Sequence, residues 1–146
     1  MKTFQFQLDR VRRWRLEQLS LEELKLQQVR AARQALTDAK LQVREQLSRS
    51  REELLAQPTL HGQDLENLDS YGIHVQERVR DFESREQQWD AKVTEQRGRV
   101  LEARRRFELL DGLRKKAFDK WRAASDKEQE TLAGELFLSK STRNAG

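Results

Sequence analysis

The chain has 146 residues, 37% of them charged and 36% hydrophobic, with a formal net charge of +4 and a mean hydropathy of -0.98. A composition this polar excludes a broad hydrophobic core, and the absence of cysteine excludes disulfides, thiolate zinc sites and iron–sulfur clusters. No stretch approaches the length of a membrane span and the opening MKTFQFQLDRVRR lacks the apolar block of a secretory signal, so a cytoplasmic location is expected.

From the N-terminus, one face reads Phe4, Leu8, Val11, Arg15, Leu19, Glu22, Leu26, Val29, Ala32, Leu36, Ala39, Val43, Leu47, Ser50, Leu54. Steps of three and four alternate, and only Arg15, Glu22 and Ser50 are polar. This is the stripe of a long helix with a narrow seam, and a narrow seam needs another helix as its partner. The spacing predicts a helix over 3–56.

Pro58 is the only proline. It lacks an N–H and clashes with the preceding turn, so the first helix must end there. Gly62 suits a turn, and Thr59 or Asp64 suits a helix cap. The segment 57–63 is therefore a predicted corner, and a connector this short returns the chain antiparallel.

The second stripe reads Leu65, Leu68, Tyr71, Val75, Val79, Phe82, Glu86, Trp89, Val93, Gln96, Val100, Ala103, Phe107, Leu110, Leu113, Ala117, Trp121, Ala124, Glu128, Leu132. It predicts a helix over 64–138, followed by a small, polar, frayed tail over 139–146. Gly98, Gly112 and Gly134 fall inside this helix, each costing about 1 kcal/mol against alanine. Glu45–Arg49, Asp81–Arg85, Glu102–Arg106 and Asp111–Lys115 have the favourable acid-then-base order at i,i+4. The predicted fold is all-α: a single domain, 1–146, forming a long antiparallel two-helix coiled coil.

With the corner near residue 60, residue i on the first helix faces roughly 120 minus i on the second, given equal rise on both. The second helix then outruns the first from about Ala117. Its apolar pattern nevertheless continues through Phe118, Trp121, Ala124, Leu132, Leu136, Phe137 and Leu138. Trp14, Leu21 and Leu24 add an apolar shoulder beside the first seam. A lone helix with an exposed seam is marginal in water, so this end is expected to bind a partner, to self-associate or to fray. Near the corner, Tyr71, Val75, Val79 and Phe82 are expected to be core, with flanks left wet by the narrow seam.

No catalytic constellation, phosphate loop or metal-ligand set is present in the sequence. His61 and His74, the only histidines, have no matching ligands. A two-helix hairpin cannot desolvate paired carboxylates enough for acid–base work, so a non-enzyme without cofactor or metal is expected. The basic runs Arg10, Arg12, Arg13, Arg15 and Arg104–Arg106 and Arg114–Lys116 read as a solvated face or as docking on an acidic protein. Nucleic acid is disfavoured because no aromatic stacking platform accompanies them.

Phe4-Gln5-Phe6-Gln7-Leu8-Asp9-Arg10-Val11, followed by Arg15 and Glu17, resembles the opening of the FliJ family of the bacterial flagellar export apparatus. The second helix is similar too, at Gln88-Trp89 and Lys92-Val93, at Arg106-Phe107-Glu108-Leu109-Leu110 through Leu113 and Lys115-Lys116, and at Asp126-Lys127-Glu128-Gln129-Glu130 before Leu132 and Glu135. The resemblance implies a stalk-like coiled coil, monomeric when free, whose terminal end enters the hexameric export ATPase FliI. It further implies contact with the export-gate protein FlhA, escort of export chaperones, and peripheral association with the inner face of the cell membrane at the flagellar base. Carried onto this chain, the ring contact comprises Arg10, Arg13, Trp14, Leu21, Leu24, Arg114, Lys115, Phe118, Trp121 and Leu132. The gate contact comprises Lys40, Val43, Leu47, Tyr71, Val75 and Phe82. The alternatives are the equivalent stalk of an injectisome and a generic coiled-coil scaffold or dimeriser.

Overall fold

The computed structural model describes residues 2–145, which form two helices, α1 (Asp9–Leu55) and α2 (Gly62–Ala145). Asp9–Leu55 contains neither glycine nor proline and is rich in strong helix formers, so nothing interrupts it. Its last turn tightens: the Gln57 amide donates to the Leu54 carbonyl at 3.2 Å, and Pro58 ends the ladder. The chain re-enters a helix where the Asp64 amide donates to the His61 carbonyl at 3.1 Å. The described residues contain no strand, and the all-α antiparallel pairing expected from the two stripes is what they form.

Packing divides the chain into two units. One comprises the chain up to Ser20 together with the chain from Glu102; the other is Leu21–Leu101. A helix pair makes only neighbouring contacts across its seam, so its packing is local by construction.

In the unit Leu21–Leu101, α1 and α2 run antiparallel around a small core. Val43, Val75 and Val79 are buried, and Leu47, Tyr71 and Phe82 pack against them. All six lie on the predicted stripes. The polar breaks in those stripes are also interior. Glu86 is buried, with Lys40 Nζ at 2.8 Å, Arg33 Nη1 at 3.1 Å and the Thr37 hydroxyl at 3.2 Å. Gln96 is buried and donates to the Glu22 carbonyl at 3.0 Å and to the Glu22 carboxylate. These pairs follow the expected antiparallel register. Buried polar groups must be satisfied, so a slipped register would strand Glu86 and Gln96.

In the other unit, α1 begins at Asp9 rather than near residue 3. Its carboxylate lies in the first turn, where the helix dipole favours an anion, and accepts from Arg12 Nε at 3.0 Å and Arg13 Nε at 2.7 Å. Residues 2–6 are not helical. Phe4, Phe6 and Leu8 alternate with polar residues, a period-two pattern that suits extended chain as well as Phe4 and Leu8 suit a helical seam. At this start of α1 the seam also shifts. Leu8 and Val11 are exposed while Arg12 and Arg15 are half-buried.

The predicted frayed tail is helical through Ala145; Gly146 lies outside the described residues. No proline stops the helix after Leu138, and the Thr142 hydroxyl donates to the Leu138 carbonyl at 2.8 Å. The helix also runs unbroken through Gly98, Gly112 and Gly134. The four surface pairs expected from i,i+4 spacing all form, at 3.9 Å (Glu45–Arg49), 3.2 Å (Asp81–Arg85), 3.1 Å (Glu102–Arg106) and 3.2 Å (Asp111–Lys115).

Candidate functional site

The overhang of α2 begins later than equal helical rise predicts. Phe4 packs edge-on against Phe118, with ring centroids 5.2 Å apart, and lies 5.9 Å from Trp121. The Trp121 indole donates to the Lys2 carbonyl at 3.2 Å. Phe118 and Trp121, expected to lack an intramolecular partner, are therefore partly covered. The reason is geometric: extended chain advances about 3.3 Å per residue against 1.5 Å for a helix, so the few residues before Asp9 reach further along α2 than a helical start would.

Phe4→Ala removes the ring that holds this extension. The expected result is faster proteolysis between Lys2 and Leu8 with unchanged helical circular dichroism. Equal cleavage rates in wild type and variant would show that the aromatic cluster does not anchor the segment.

Beyond Ser125 every described residue of α2 is exposed. Leu132 is 53% exposed, Leu136 66%, Phe137 71% and Leu138 65%. Successive helical residues turn by about 100°, so Leu136, Phe137 and Leu138 fan round some 200° of the helix. Apolar surface on several faces calls for an environment that wraps the helix rather than one flat partner.

The basic residues of the same unit are largely engaged. Arg13 bonds Asp9, and Arg114 lies 3.9 Å from Asp9 with its guanidinium over the Phe4 ring at 5.8 Å. Lys115 pairs with Asp111 at 3.2 Å, and Arg12 reaches Asp111 at 3.6 Å. The two arginines bonded to Asp9, Arg13 first and Arg12 next, hold its carboxyl below the usual range. The bases near Arg114 and the N-terminal arginines are thus interleaved with two carboxylates, and the field is weaker than the run of bases suggests. Arg10 is exposed. Trp14 is 48% exposed, with Arg15 stacked 4.6 Å from its ring.

The ring-contact residues expected from the sequence do not all fall in this unit. Leu21 and Leu24, each 50% exposed, belong to Leu21–Leu101. The gate-contact residues all belong to Leu21–Leu101, where all but Lys40 contribute to the core. Val43 and Val75 are interior and offer no surface to a partner, and Lys40 is committed to Glu86. The flanks of Leu47, Tyr71 and Phe82 reach solvent, and Lys40 keeps partial access to it.

Two features escaped the sequence reading. The aromatic cluster of Phe4, Phe118 and Trp121 was hidden because Phe4 also fits the helical stripe; the alternation Phe4-Gln5-Phe6 was the available signal. Gly72 is buried, and a Cβ there would lie 3.7 Å from the Arg51 guanidinium. No cluster of three or more potential metal ligands occurs among the described residues, and none of their helices is long and apolar enough to cross a membrane. Comparison with known proteins finds no matching family model, no matching curated protein and no matching solved structure.

Proposed function

We propose that this chain is a non-enzymatic, FliJ-like component of the flagellar type III protein export apparatus that engages the export ATPase ring FliI by the terminal end of α2. The observation that carries this reading is the segment after Ser125, which is helical, exposed and apolar on several faces. A ring pore is an environment that surrounds a helix, and the opening sequence resembles the family that supplies such a stalk. Trp14, Arg10 and the half-covered Phe118 and Trp121 extend the same contact.

The mechanism is mechanical. A helical element inside an asymmetric ring makes different contacts with different subunits and so biases which interfaces close around nucleotide. The unit Leu21–Leu101 then meets the gate protein FlhA through the exposed flanks of Leu47, Tyr71 and Phe82, with Val43 and Val75 holding those flanks in place. Escort of export chaperones, and a place at the inner face of the cell membrane at the flagellar base, belong to the same proposal.

The test is ATPase stimulation and co-purification with the cognate export ATPase. Leu136→Ala, Phe137→Ala and Leu138→Ala combined are expected to reduce stimulation at least tenfold while circular dichroism stays helical. Trp14→Ala with Trp121→Ala is expected to act in the same direction. Full stimulation by the triple variant would remove the ring contact from this end of the chain.

A further inference from the structure

Within the uncovered end of α2, Glu128, Leu132, Leu136 and Lys140 stand four residues apart and form one ridge along the helix. Its pattern is acid, leucine, leucine, base. The two leucines and the two charges share one midpoint, position 134. A ridge of this kind is complementary to its own antiparallel copy.

Lys2 lines the same cavity as Glu128. Glu128 and Lys140 are exposed and form no ion pair among the described residues. Their own helix offers none, because three and four residues from Glu128 stand Ala124, Ser125, Thr131 and Leu132, and from Lys140 stand Leu136, Phe137, Arg143 and Asn144. At Glu102–Arg106 and Asp111–Lys115, by contrast, charges of the same helix pair at that spacing.

We infer that this ridge mediates weak, two-fold antiparallel self-association, with Leu132 of each copy against Leu136 of the other and Glu128 of each against Lys140 of the other. The interface is isologous and closes as a dimer. Interdigitated i±4 ridges cross at about −50°, which confines contact to this short stretch. Glu128 and Lys140 lie about 18 Å apart along the axis. So short a contact falls well below the roughly 1,200 Å² of a stable interface, so the association is weak, with a dissociation constant on the order of 100 μM. The chain is then a monomer at low micromolar concentration and a dimer when crowded. A parallel pair would set Glu128 against Glu128, so the charges select the antiparallel arrangement. This inference does not depend on the ring contact.

Sedimentation of the full chain from about 10 μM to about 1 mM at low salt tests it. Wild type is expected to shift from monomer to dimer across that range. Glu128→Lys and Lys140→Glu, each alone, place like charges opposite one another and are expected to weaken association at least tenfold. An equimolar mixture of these two variants restores both ion pairs and should associate at least as well as wild type. A wild type monomeric at 1 mM, single variants that associate like wild type, or a mixture no better than its components would each overturn the pairing. ATPase stimulation, read at low micromolar concentration with the Leu136, Phe137 and Leu138 substitutions, fails or succeeds separately.

Discussion

Val75→Asp is expected to unfold the unit Leu21–Leu101. Val75 is the most enclosed of the buried hydrophobic residues, at 3% exposure, and it touches the core that Val43, Val79, Leu47, Tyr71 and Phe82 build. That cluster is small, and no second layer lies behind it to absorb a defect. A carboxylate there would replace an apolar side chain inside that core. Burying it unpaired costs several kcal/mol, a large part of the 5–15 kcal/mol that holds a typical domain together. The expected reading is a melting temperature at least ~15 °C lower, or loss of cooperative helical melting altogether. Val75→Ala should cost roughly 1–3 kcal/mol through lost burial and a residual cavity. Ile73→Asp is the control: Ile73 is 54% exposed, two residues away on the same helix, and should change stability by no more than about 0.5 kcal/mol. Equal melting temperatures for Val75→Asp and Ile73→Asp would show that the seam does not hold this unit.

The second large effect concerns Glu86 and appears as a pH dependence. Lys40 bonded to its carboxylate, the Thr37 hydroxyl and the nearby Arg33 charge hold the group below the ordinary glutamate value of 4.5, against the opposing effect of burial. The folded value lies below the unfolded one, so the contribution to stability is present above 4.5 and is lost as pH falls through the lowered folded value. Wild type should therefore lose melting temperature more steeply than Glu86→Gln as pH is lowered from 5 into that range. At neutral pH, Glu86→Ala leaves Lys40 and Arg33 without their shared acceptor. Both side chains retain access to water, so the expected cost is about 1–2 kcal/mol rather than that of a sealed charge. Parallel acid-melting curves for wild type and Glu86→Gln would mean that the contact carries no net stability.

The stripes were legible because a helical seam is a local pattern. Leu19, Val43, Val75, Val79 and Val100, the buried hydrophobic residues, all occupy predicted seam positions. The corner was legible because Pro58 acts through its own covalent structure. Glu22, Glu86 and Gln96 were visible as polar breaks, but their partners were not. Arg33, Thr37 and Lys40 lie beside the first seam rather than on it, and which of them reaches Glu86 depends on how the two helices are rotated against each other. The proposed ring site was legible in part: the apolar run at Leu132–Leu138 is plain in the sequence, while the cover over Phe118 and Trp121 is not.

By itself, then, the sequence determined an all-α antiparallel pair, its corner and the excess length of the second helix, because periodicity, proline and chain length act within a few residues or by simple count. Only the tertiary structure decided where that excess begins. The residues before Asp9 could continue a helix or run extended at similar local cost, and contact between Phe4, Phe118 and Trp121 selects the extended course. The same packing made Val43 and Val75 interior and left Leu132, Leu136, Phe137 and Leu138 outside, which is a property of what faces each residue and not of the residue itself.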